Sequence, residues 1–125
     1  MLVYKDDLKK IFSLQQIDEQ EFDCRIERMR QQVEANGQTR FVLIVAPDKL
    51  TAYSDFISDE KLRNISKLSQ LSERNKNVIP RIDLALTKAI RKGEQDVYLP
   101  DDTHWGSSGH RIAAETLIDF LQIHE

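Results

Sequence analysis

The apolar positions of this chain change period several times, and the changes mark its elements. From Asp18 to Asn36 the spacing is helical: Phe22, Ile26, Met29 and Val33 follow one another at four, three and four residues, along one face. Asp18 is a suitable N-cap, Glu21 completes a capping-box-like pair, and Ile17 can staple against Phe22. Gly37 supplies the stop. A shorter helix is expected upstream, over Asp6 to Phe12. The helical period then disappears. Phe41-Val42-Leu43-Ile44-Val45-Ala46 is an unbroken β-rich run between Arg40 and Pro47, the pattern of a strand buried on both faces of a parallel sheet. The loop Pro47-Asp48-Lys49 leaves its carboxyl end, the edge where open α/β sheets usually bind ligands.

Helical spacing returns over Ser58 to Asn75, through Leu62, Ile65, Leu68 and Leu71. Val78-Ile79 reads as a short strand ended by Pro80. Asp83 can cap a helix carrying Leu84, Leu86, Ala89 and Ile90, stopped near Gly93. Val97-Tyr98-Leu99 is a short extended segment closed by Pro100. A last helix, from Ser107 or Ser108 to Leu121, has its apolar face in Ile112, Ala113, Leu117, Phe120 and Leu121. These elements predict an α/β fold. One strong strand and two short ones fall below the about five of a doubly wound sheet, so the chain reads as part of an α/β domain or a relative with few strands.

Composition narrows the function classes. The 125 residues suit a single domain, residues 1–125. A net charge of -3 argues against nucleic acid as a partner, which would call for a basic patch. No apolar run approaches the about 20 residues of a membrane span. Met1 to Asp7 lacks the apolar core of a signal peptide, so the targeting segment of an exported parent would lie outside this chain. Cys24 is the single cysteine, which rules out a disulfide within the chain, and its helical setting favours a structural role.

The candidate chemistry is concentrated in Asp101-Asp102-Thr103-His104-Trp105-Gly106, just before the last helix. Histidine suits proton transfer near neutrality. A carboxylate beside it can fix its tautomer and stabilise the imidazolium that forms, which is two thirds of a nucleophilic triad. Asp101 and Asp102 are both candidates for that carboxylate. The bland alternative is an Asp–Asp turn with a solvated His104 above a packed Trp105. A divalent cation on Asp101, Asp102 and His104 would need another clustered ligand, and short spacing provides none. With no CxxC and no HExxH, neither a metal nor a cofactor is expected.

The segment from Tyr98 to Trp105, followed by Gly109 and an Ala-containing helix, resembles the Asp–His block of SGNH-hydrolase-like proteins. Its Asp-Thr-His-Trp reading is most similar to the alginate O-acetyltransferase-like branch. Val42 to Lys49, with Tyr53 a few residues on, resembles the strand and Pro-Asp-Lys loop of that branch. The resemblance covers roughly Thr39 to Leu121. It implies a flavodoxin-like three-layer α/β/α sandwich of SGNH-hydrolase type, here partial with few parallel strands. It also implies acyl transfer or ester hydrolysis, commonly of acetyl groups on extracytoplasmic polysaccharides, and hence a periplasmic or extracellular protein.

Carried over residue by residue, the resemblance makes His104 the general base. Asp102 fits the Asp-x-His spacing of this branch, and Asp101 fits the Asp-x-x-His spacing of ordinary SGNH esterases. Lys49 matches the loop lysine, either folding the loop or touching an acyl or sugar group. Tyr53 and Trp105 join it as substrate-binding candidates, Trp105 as a platform for a sugar ring or as a packing residue.

The nucleophile is where the chain departs from the pattern: no Gly-Asp-Ser triplet occurs. Ser54 and Ser58 read as helix-start residues, and Ser107 and Ser108 suit capping the last helix. His110, in the first turn of that helix, reads as solvated, and His124 lies at the terminus. The expectation is a carbohydrate esterase or O-acetyltransferase-like domain, or a C-terminal or partial segment of one, with its serine elsewhere. Its partners would be an acetylated carbohydrate or acyl donor, a longer parent chain, or envelope polysaccharide machinery. The alternative is a non-catalytic carbohydrate-binding or protein-interaction module that keeps the hydrolase framework.

Overall fold

The computed structural model describes residues 5–63 and 66–123. Their elements are helices: α1 (Lys5–Gln15), α2 (Glu19–Glu34), α3 (Lys49–Ala52), a 3-10 turn (Ser54–Phe56), α4 (Glu60–Arg63), α5 (Leu68–Arg74), α6 (Ile82–Arg91) and α7 (Ser107–Ile123). No strand or sheet occurs among the described residues, where the isolated bridge between Tyr98 and Trp105 is the sole β pairing. This corrects the expected α/β/α sandwich.

The physical reason lies in the 41–46 run. Its β-branched composition favours extension, but a strand becomes a sheet only through a ladder of backbone bonds. Here Leu43 N–H donates to Val78 O at 2.9 Å, and no second rung follows among the described residues. Nor is the run buried on both faces: Ile44 is 51% exposed. Val78 and Ile79 are no strand either. Their N–H groups both bond Asn75 O, closing a turn behind α5.

Three apolar clusters hold the helices. Ile82, Leu86 and Ile90 of α6 pack on Ile112 and Ala113 of α7, with Ala52, Val97 and Tyr98 between them. Ile11 of α1 meets Leu50 of α3 and Ile57. Ile26 of α2 covers Val78 and Ile79, flanked by Phe22, Phe41, Leu43 and Val45. Burial of such aliphatic side chains stabilises by about 1.5–3 kcal/mol each.

Local rules account for several boundaries. The Asp18 carboxylate caps α2 by accepting Glu21 N–H at 3.0 Å. Gly37 follows that helix at φ +67°, where a Cβ would be strained. The single long helix expected over Ser58 to Asn75 is instead α4 and α5; Ile65 falls outside the described residues. Asp83 does not cap α6, which starts at Ile82 behind Arg81. Its buried carboxylate accepts from Ser69 Oγ and the Arg81 guanidinium instead.

Candidate active site

Chain geometry, more than helix packing, builds the site. Val97 to Gly106 forms a narrow loop: Leu99 N–H donates to His104 O, and Gly106 N–H donates to Val97 O, both at 3.0 Å. Asp101, Asp102 and Thr103 sit at its tip. At its base α7 begins unusually close to the preceding chain. A Cβ on Gly109 would lie 2.1 Å from Val97 O, so only glycine fits there. Asp96, in the left-handed region at φ 58°, turns its carboxylate to Ser107 N–H at 2.8 Å and its carbonyl to Ser108 N–H at 3.1 Å. The cap of α7 is therefore Asp96, and not Ser107 or Ser108.

Lys49 fastens this loop to the 47–49 segment. The residue is 6% exposed. Its Nζ donates to Leu99 O at 2.7 Å, Pro100 O at 2.9 Å and Asp102 O at 3.3 Å. A buried ammonium requires such partners, and three carbonyls match its three donors. The buried Tyr98 hydroxyl adds a second tie, donating to Pro47 O at 2.7 Å. Burial raises the Tyr98 phenol pKa well above its ordinary value, so it stays a neutral donor. Asp48 is occupied in capping α3 through Thr51 N–H and Oγ1.

On this scaffold His104 Nδ1 lies 2.7 Å from Asp102 Oδ1. The same oxygen accepts Thr103 N–H at 2.6 Å and His104 N–H at 3.3 Å. The His104 ring, followed by these two backbone donors, holds the Asp102 carboxyl below its ordinary pKa. In the neutral ring a proton on Nδ1 makes this contact a hydrogen bond and leaves the Nε2 lone pair free. The His104 side chain is 77% exposed, and among the described residues no serine hydroxyl is bonded to it. Asp101 is exposed, and among the described residues no hydrogen bond joins its carboxylate to the ring.

The ring opens onto a cleft of about 510 Å³. Asp7 and Lys10 of α1 form one wall; Val45 to Asp48 form another; Thr103, His104, Trp105 and His110 close it. Trp105 and His110 meet edge to face, with ring centroids 5.6 Å apart. Tyr53 stands elsewhere, edge-on to Tyr98 at 5.8 Å and tilted on Phe56 at 6.4 Å. Ser54 opens the 3-10 turn, Ser58 is exposed, and His124 lies outside the described residues. Among the described residues no three His, Cys, Asp or Glu side chains gather as a metal site. No helix is long and apolar enough to cross a membrane among them.

Two residues of this site carry no local signal in the sequence. Asp7 is an ordinary first-turn acid of α1, and only the fold carries it to the cleft. Asp96 follows Gln95 with no turn dipeptide, and its role depends on the Gly106 and Gly109 approach.

Comparison with curated proteins and with solved structures returned no match. A family profile described as the SGNH hydrolase-like domain of the acetyltransferase AlgX does match, over residues 7–124. With the match running nearly end to end, the chain belongs to the SGNH hydrolase-like AlgX acetyltransferase domain family.

Proposed function

We propose that this chain provides the Asp–His half of an acyl-transfer site acting on acetyl esters of a polysaccharide. The observation that carries the reading is the 2.7 Å contact between Asp102 and His104 Nδ1, which leaves Nε2 turned away from its carboxylate. A serine supplied by polypeptide outside these 125 residues attacks the acyl carbonyl while Nε2 takes its hydroxyl proton. Nε2 then returns that proton to the departing alkoxide, leaving an acyl-serine. Water or an acceptor hydroxyl, deprotonated by Nε2, releases the acyl group and regenerates the serine. Asp102 holds the ring and stabilises its charged form throughout.

Lys49 serves this reading as a positioning residue, because its bonds go to the backbone of the turn that carries Asp102. Trp105 lines the cleft and can face a sugar ring, whereas Tyr53 supports the loop through Tyr98. A periplasmic or extracellular setting, beside envelope polysaccharide machinery, accords with such a substrate. A non-catalytic carbohydrate-binding module is the second reading, favoured by the exposure of His104 and the lack of a Gly-Asp-Ser triplet.

Hydrolysis of an activated acetyl ester by the protein expressed with its flanking coding sequence separates the two. The catalytic reading expects His104→Ala to lower kcat/KM by about 10³-fold or more, with a loss for Asp102→Ala of about 10²–10⁴-fold. Equal rates for the parent and His104→Ala would remove the imidazole from catalysis.

A further inference from the structure

The first turn of α7 takes its cap from across the loop that precedes it. Gly106 holds the position where a local Asp or Ser would do this, and its carbonyl accepts His110 N–H at 3.0 Å. It has no side chain, and a Cβ there would collide with the Asp96 carboxylate. Asp96 lies eleven residues before Ser107. Its φ of 58° is left-handed, and among the described residues it is the one non-glycine residue with positive φ. Its carboxylate accepts Ser107 N–H at 2.8 Å and its carbonyl accepts Ser108 N–H at 3.1 Å. An ordinary cap needs neither that separation in sequence nor that backbone strain. What the arrangement adds is a clamp across the base of the 97–106 loop.

The two members of the dyad are held by different ties. Lys49 fastens the incoming arm and the tip, through Leu99 O, Pro100 O and Asp102 O. His104 belongs to the outgoing arm. Its carbonyl accepts Leu99 N–H, Trp105 bridges Tyr98, and Gly106 N–H reaches Val97 O. These rungs descend from the imidazole to Asp96, which bonds the outgoing arm again at Ser107 and Ser108. We infer that Asp96 is a positioning residue for His104, fixing the arm that carries the ring so that Nδ1 meets Asp102. This rests on the acyl-transfer reading above for its effect on rate, and on the loop alone for its effect on the ring.

The test reads the His104 ring tautomer in the 125-residue chain by long-range ¹H–¹⁵N spectroscopy. Asp96→Gly keeps the left-handed backbone and removes the carboxylate, so the ring should lose its Nδ1-protonated preference and become a mixture. Asp96→Asn keeps an acceptor and tolerates the same backbone, and should retain the parent tautomer. Ala114→Gly loosens α7 at an exposed position and should leave the ring unchanged. In the protein expressed with its flanking coding sequence, Asp96→Gly should lower kcat by about tenfold or more at unchanged KM. In the parent, the Leu99, Gly106 and Ser107 amides should exchange with protection within about tenfold of one another, a readout that holds even if a variant misfolds. A parent-like ring or an unchanged kcat in Asp96→Gly, a ring equally disturbed by Ala114→Gly, or a Leu99 amide exchanging faster than Ser107 by more than that margin overturns the assignment and spares the acyl-transfer reading. Ester hydrolysis indifferent to His104→Ala overturns that reading instead, and the tautomer and exchange results then decide this one.

Discussion

The Asp102 carboxyl is tied to the His104 ring by a 2.7 Å contact to Nδ1. Held by the imidazole and by the N–H groups of Thr103 and His104, its pKa falls below the ordinary value in the folded chain. A lowered folded pKa means that the stabilisation is complete above the unfolded value, near 3.9 on average, and is lost as pH falls through the folded one. A carboxyl ¹³C titration should therefore place Asp102 below about 3.9, and His104→Ala should bring it back toward that value. An Asp102 midpoint unmoved by His104→Ala would show that the ring contact is not formed in solution. This pair was legible in the sequence because both partners fall within a three-residue window, His104 two after Asp102. Spacing alone left Asp101 equally eligible; the backbone of the turn makes the choice, by aiming two N–H groups and the ring at one Asp102 oxygen. Asp7 was illegible, since nothing near it in sequence foretells a cleft formed with residues at the other end of the chain.

Between elements, the decisive contact is the Lys49 ammonium, which joins the start of α3 to the loop before α7. The Pro47-Asp48-Lys49 loop stood out in the sequence, but the target of its lysine did not, because backbone carbonyls leave no trace in a sequence. Lys49→Met keeps the length and apolar stem of the side chain and removes its donors. The carbonyls of Leu99, Pro100 and Asp102 then lose their partner, at an expected cost of about 1–3 kcal/mol, read as a lower midpoint in urea denaturation. An unchanged midpoint would mean that the loop holds its shape without the ammonium. The helices themselves were read with mixed success for identifiable reasons. α2 follows its cap, but of its periodic face only Ile26 is buried, while Met29 and Val33 stay exposed. α7 starts at Ser107 as expected, yet through a carboxylate eleven residues upstream that no local pattern reveals.

At the scale of the molecule the sheet was the failed expectation. A β-rich run such as 41–46 encodes extension; its partners are encoded elsewhere, and here Val78 provides a single backbone bond. What the fold does assemble is a junction of three distant stretches, α1, the 45–49 loop and the 98–105 loop, around one imidazole. The orientation of that imidazole should accordingly belong to the folded state and vanish when the junction is dissolved. A long-range ¹H–¹⁵N spectrum of the His104 ring, at a pH where it is neutral, measures this directly. The account predicts the Nδ1-protonated tautomer in the native chain, and a mixture of tautomers both in urea and in Asp102→Ala. A native ring protonated on Nε2, or a ring indifferent to the loss of Asp102, would contradict it.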